Sequence, residues 1–309
     1  MAANCYNLAR ATARLTSEIN VPRFNSYRPA LALMAAALPT LRPGTVFAQE
    51  SSVSVVSPTP GSAGPTYADI ADLSESAAIV ARVQIRSVSR LKPEQAPGVR
   101  PGWARIYVQA KTQALLIGGG LGESVAYLAD VKLDAKGGLP KLKKAQAIVF
   151  ANPVAGRPAE LRLVAADAQI VSTPALEQRV RAVLTERAQP GAAPRVAGVR
   201  EAIHVPGNLA GEGETQIFMV TPTGDPVSIT VVRRPGQPMV WGVSLTEIVD
   251  QAAQPPARDT LTWYRLACFL PANMPAGIGI SGSAEDRRLA REDYRMVMAE
   301  LGPCPRSRS

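Results

Sequence analysis

Between Ile79 and Ala165 the chain passes through five short segments separated by runs rich in glycine and proline. In AIVARVQIRSV, Ile79, Ala81, Val83 and Ile85 fall on one side, and Val80, Arg82, Gln84 and Arg86 on the other. ARIYVQAKTQ puts Ile106, Val108 and Ala110 inward, with Gln109, Lys111 and Gln113 outward. SVAYLADVKL aligns Val125, Tyr127, Ala129, Val131 and Leu133. AQAIVFA is apolar on both sides, and ELRLVA is a shorter fifth segment. A two-residue period is the signature of a strand with one buried face. The links KPEQAPGVRPG, GGGLG, DAKGGLPK and NPVAGRPA carry turn chemistry. Five such strands predict an antiparallel sheet that curls or closes, and a small OB-like barrel is one way to close it.

Helices are expected on both sides of this run. Thr66 can cap a short one over TYADIADLSESA. A second begins at Thr173 and Pro174, with Leu176, Val180, Val183 and Leu184 on one face, and it should cover the sheet. QPGAAP at 189–194 ends it and divides an antiparallel β domain at 66–189 from a smaller α+β domain at 195–305. In the second part, TQIFMVT and VSITVVRR flank a PTGDP turn, and MVWGV follows RRPGQP, so a three-stranded meander is expected. Ser244 and Glu247 have capping-box spacing for a short helix. DTLTWYRLACFL reads as a helix capped by Asp259, although its aromatics and threonines also suit a strand. Ser283 opens a final helix whose apolar face is Ala290, Tyr294, Val297, Met298 and Leu301, ended by Gly302-Pro303. The fold class expected is therefore α+β. Aromatics are only 5% of the chain, so the core must be built chiefly from Val, Ile, Leu and Ala.

The N-terminus carries an address. ALALMAAALPTL, residues 30–41, is too short to span a bilayer but suits the apolar region of an export signal. Arg23 and Arg28 precede it, and Val46 and Ala48 place small residues before a cut at Ala48–Gln49. Residues 1–48 read as a signal peptide and 49–65, rich in Ser, Pro and Gly, as a flexible tether. An uncleaved N-terminal anchor is the alternative. Removing residues 1–48 from the 309 leaves 261, and the net charge falls from +9 to +5 because five arginines and Glu18 leave. That balance does not suggest nucleic acid. No later stretch has the length and apolarity of a transmembrane span. The expected location is periplasmic or secreted. Cys5 leaves with the signal, and in an oxidising compartment Cys268 and Cys304 are expected to pair.

Catalytic and metal constellations are sparse. His204 is the only histidine, so any triad must pass its proton through that ring, and no G-x-S-x-G elbow accompanies it. It is expected to be a hydrogen-bonded or loop residue. GEGET at 211–215 lacks the ordered oxygen donors of a calcium loop, and GGGLG at 118–122 fails the dinucleotide pattern and reads as a tight turn. No cofactor and no metal site are expected. Trp263, Tyr264 and Phe269 read as core rather than as a ligand groove.

Two basic features stand out as possible anion contacts. Lys141, Lys143 and Lys144 crowd one loop, and Arg287, Arg291 and Arg295 recur every four residues along the last helix. Glu285, Asp286, Glu292 and Asp293 are interleaved with those arginines, so a solvated, internally paired face is the simpler expectation. The reading of the whole is an exported protein with a non-catalytic binding or structural role in the cell envelope. Its partner would be an anionic envelope component or another envelope protein. A periplasmic hydrolase needing neither histidine nor metal, and a membrane-surface protein using its uncleaved N-terminus and basic helix, are the competitors.

Overall fold

The structure is a computed structural model and describes residues 64–247 and 253–308. Helix α1 (Tyr67–Ser76) is held by the Thr66 capping box, in which Asp69 and Thr66 bond reciprocally. Five strands then close on themselves: β1 (Ile79–Arg90), β2 (Trp103–Ile117), β3 (Ser124–Lys132), β4 (Gln146–Val154) and β5 (Arg157–Leu163). The order is β1-β2-β3-β5-β4, and β4 pairs back onto β1. A short β6 (Gln169–Val171) adds to β4 outside the ring.

The α+β class is as expected, but the barrel is mixed rather than antiparallel. The exception is β3 against β5, which pair parallel at Ala126–Glu160 and Tyr127–Leu161. The cause is the tight β4–β5 turn at Ala155–Gly156. It sends β5 back along β4, and closure then brings its free edge to β3 in the same direction.

The inward rows are those of the two-residue period. Ile79, Ala81, Val83 and Ile85 meet Ile106, Val108, Val125, Tyr127 and Val149 inside the barrel. Alanines at 81, 110, 129, 147 and 151 are buried among these larger side chains and let the walls of a small barrel approach. Leu142, from the β3–β4 loop, is buried in the same cluster. GGGLG forms the β2–β3 turn. Gly118 has φ +101°, and a Cβ there would lie 2.5 Å from the Ala78 carbonyl oxygen, so no other residue fits.

A second apolar cluster explains why AQAIVFA is apolar on both sides. Ile148 and Phe150 of β4, with Val80 of β1, face outward onto helices instead of water. These are α1, α2 (Pro174–Ala188, capped by Thr173), α3 (Leu261–Ala267) and α4 (Ala284–Leu301). The same cluster takes in the inner face of a second sheet, through Ala202, Ile217, Ile229, Val231 and Trp241. Ala193 and Val196, on the link after α2, are buried in it as well.

The second sheet has five strands in the order β10-β9-β8-β7-β11. The expected meander is β8 (Gly213–Val220), β9 (Ser228–Arg233) and β10 (Val240–Ser244). Two strands absent from the sequence reading extend the sheet beyond β8, namely β7 (Gly198–Pro206), which pairs with β8, and β11 (Gly279–Ser281), which runs parallel to β7 at the edge. Ser244 closes β10 rather than capping a helix, and residues 248–252, where that helix was expected, lie outside the described residues. The cap of α3 is Thr260, because Asp259 stands at φ +59° in the left-handed region. Among the described residues no helix is long and apolar enough to cross a membrane.

The C-terminal residues are strapped over α1. Arg306 pairs with Asp72 at 2.7 Å, Ser307 donates twice to Asp69, and Arg308 reaches Asp167 at 2.7 Å. Burial pushes the Asp69 carboxyl up, but hydrogen bonds from Ser307 and Thr66 outweigh it and hold it below the usual range. A depressed carboxylate stabilises the fold above its unfolded value and loses that contribution as pH falls. Asp69→Asn is therefore expected to cost about 1 kcal/mol at pH 7. The gap to the parent chain should narrow below about pH 4. Urea melts of both proteins from pH 3 to pH 7 check this, and a gap that widens on acidification overturns it.

Candidate functional site

The outer face of the barrel carries a groove of about 650 Å³ across β2, β3 and β5, bounded by the β4–β5 turn. Its floor is a cross-strand pair. Tyr107 on β2 stands opposite Leu128 on β3, and both project outward, 39% and 46% exposed. Outward rows of a strand are normally polar, as Gln109 and Lys111 are, so an adjacent aromatic and aliphatic pair left open to water marks this face as a candidate site. Two residues along, Arg105 holds Asp130 through two parallel bonds of 2.7 and 3.0 Å. That fork fixes the guanidinium plane beside the tyrosine and raises the arginine's proton affinity further. Arg157 pairs with Glu160 at 2.8 Å on the rim. Arg162 is exposed on β5 with no ion pair among the described residues.

Both carboxylates that reach the groove are thus tied to arginines. Apart from the buried Tyr127, the remaining lining is aliphatic, without histidine, cysteine, serine or threonine. No nucleophile stands beside a base here. The surface offers a flat aromatic face, an aliphatic neighbour and one uncommitted guanidinium. That combination suits stacking and anion pairing.

No protein-family model matches this chain, and no curated protein matches its sequence.

A second polar constellation lies inside the other half. His204 (β7), Thr215 (β8), Arg233 (β9) and Asp293 (α4) meet where the helix crosses the sheet. Arg233 reaches Asp293 Oδ1 with Nε at 2.8 Å and Nη2 at 2.5 Å. The Thr215 hydroxyl donates to Asp293 Oδ2 at 2.5 Å, and His204 Nδ1 lies 2.8 Å from that hydroxyl oxygen. Since the hydroxyl proton goes to Asp293, Nδ1 carries a proton and donates to Thr215. Asp293 is fully buried and His204 nearly so. Of the four, Arg233 alone keeps 20% exposure, and the network acts as a polar clamp between helix and sheet.

The other residues singled out by sequence fall as follows. Cys268, at the end of α3, and Cys304, past the end of α4, stand at disulfide distance, with Cα atoms 5.1 Å apart. Ala48 and Gln49, the expected cleavage pair, lie outside the described residues, as does Cys5. Trp263 and Tyr264 are buried core, with the Trp263 indole donating to the Leu301 carbonyl at 2.9 Å. Phe269 remains 41% exposed and packs edge-on against Tyr264. Lys141, Lys143 and Lys144 are exposed around the buried Leu142. Arg287, Arg291 and Arg295 line α4, so the two basic groups sit on different elements. Glu212 folds back to accept from the Asn208 and Leu209 amides, which closes its own loop. Among the described residues no three His, Cys, Asp or Glu side chains gather as a metal site.

Proposed function

We propose that this chain is an exported envelope protein that binds, without catalysis, an anionic saccharide chain along the outer face of an OB-like barrel. The observation that carries the reading is the open Tyr107–Leu128 pair, set in a groove whose only uncommitted charge is Arg162. The strand order with a parallel β3–β5 contact supports the OB-like assignment. Barrels of that kind use the face of their second and third strands and the turn between the fourth and fifth to hold extended polymers, saccharides among them. Sugar rings stack on an aromatic face through their C–H groups, and an acidic substituent meets a guanidinium bidentately. The placement of Cys268 near Cys304 supports export, and the net charge of +5 after removal of residues 1–48 does not by itself point to nucleic acid.

The test is direct binding of the full chain to an oligouronide of four to six sugars, with an uncharged oligosaccharide of equal length alongside. Tyr107→Ala is expected to weaken uronide binding about tenfold. Arg162→Gln should remove the preference for the charged probe. Equal affinity for both probes, or binding unaffected by Tyr107→Ala, overturns the reading. Intact mass of protein recovered from an envelope fraction reports the location, since cleavage after Ala48 leaves Gln49 first.

A further inference from the structure

Helix α4 carries five acidic residues, and every one of them is engaged elsewhere, Glu300 by accepting from the Trp241 indole at 2.5 Å. Asp286 closes the capping box with Ser283, at 2.7 and 3.1 Å. Asp293 is buried beneath Arg233 and Thr215. Glu285 and Glu292 both pair with Arg288, which stands between them on the helix. Nothing acidic is left for Arg287, Arg291 and Arg295, and none of the three has an ion pair among the described residues. Each turns an N–H back to the helix instead: Arg287 to the Gly282 carbonyl, Arg291 to Arg287, and Arg295 to Arg291 at 3.3 Å. The internally paired face expected from the sequence is therefore a net-negative strip of Glu285, Arg288 and Glu292 with a separate row of three cations beside it.

We infer that this row is a docking surface for an extended acidic segment of a partner protein. Residues four apart on a helix rise about 6 Å. Same-face residues of an extended peptide repeat at about 6.7 Å. Three alternate carboxylates can thus meet the three guanidiniums with a mismatch of about 1.4 Å over the row, within the reach of flexible side chains. A flat anionic membrane fits less well. It would also press on the neighbouring net-negative strip, where the Glu285 side chain is 62% exposed. A narrow strand runs along the cations and avoids it. A peptide also has a use for what precedes the helix. β11 is the outermost strand of its sheet, paired with β7 alone, and ends at Ser281, two residues before the cap Ser283. Its open side can accept backbone hydrogen bonds, which polyphosphate cannot supply in that register. The surface lies on the C-terminal helix and is independent of the barrel groove.

The experiment uses the full chain and an eight-residue peptide of alternating Glu and Thr, followed by fluorescence anisotropy at low salt. A Gln-for-Glu peptide, inorganic polyphosphate and phosphatidylglycerol vesicles are run in parallel. The Glu peptide is expected to bind, and the Gln peptide not to. The triple variant R287Q/R291Q/R295Q should weaken binding about tenfold. The variant K141Q/K143Q/K144Q removes the same charge from the barrel loop and should change it less than twofold. Five of the six positions are exposed and Arg287 is half-buried, none of them in an ion pair among the described residues, so thermal melts should stay close to the parent. Absence of peptide binding, equal losses in both triples, or tighter binding of polyphosphate or vesicles overturns the inference.

Discussion

Asp293→Ala is expected to lower the unfolding free energy by about 3 to 5 kcal/mol, the range for breaking a buried ion pair from one side. The side chain is fully buried and serves two partners at once, Arg233 on β9 and Thr215 on β8. Removing it strands the guanidinium beside an apolar helix face and leaves the Thr215 hydroxyl without an acceptor. The His204 Nδ1–H keeps its partner only if that hydroxyl reorients. Arg233 retains 20% exposure and a longer contact to Glu292 at 3.6 Å, so solvent recovers part of the loss. Asp293→Asn, which preserves an acceptor and the shape, should cost less than alanine, and Thr215→Val less again, about 1 to 2 kcal/mol. Urea denaturation of the three variants gives the order. A loss under 1 kcal/mol for Asp293→Ala means the network is not what fastens α4 to the sheet.

That network also marks where sequence reading stops. The sequence pattern groups Asp293 with the solvated acids of α4, yet its position carries a signal. It stands three residues after Ala290 and four before Val297, on the apolar stripe itself, so a carboxylate there had to be buried with a partner. Its partners come from three strands far away in sequence, and only the fold brings them together. β7 escaped detection for a local reason. The register of its pairing with β8 shifts between Val199 and Glu201, and such a bulge breaks the two-residue period that exposed the barrel strands. The barrel strands themselves were legible because Ile79 to Ile85 and Ile106 to Ala110 alternate without interruption. Their parallel exception was not, since no residue in β5 encodes the direction of a neighbour reached by closure. For the groove, the outward placement of Tyr107 was implied by the inward row on either side of it. That Leu128 stands opposite was a fact of register, and register belongs to the assembled sheet.

Reduction of the cysteine pair, or Cys304→Ser, is expected to destabilise the protein by about 3.8 kcal/mol at most, from the entropy of the loop that the pair closes. For a protein of this size that lowers Tm by on the order of 10 °C. The effect should be uneven across the molecule. Cys268 ends α3, and Cys304 roots the segment whose Arg306, Ser307 and Arg308 grip Asp72, Asp69 and Asp167. Those grips are individually modest, and their strength rests on a short tether holding the strap in place. Once the tether opens, the strap must pay its own ordering entropy, and α1 loses the outside donors to its capping carboxylate. Amide exchange should therefore rise first in α1 and around residues 304–308, while β1 to β5 exchange as before. Thermal melts with and without reductant, followed by hydrogen exchange on the reduced protein, separate this local loosening from a uniform loss. A reduced protein with unchanged Tm would show that the strap holds without its covalent root, and exchange rising first in the barrel would place the weak point elsewhere.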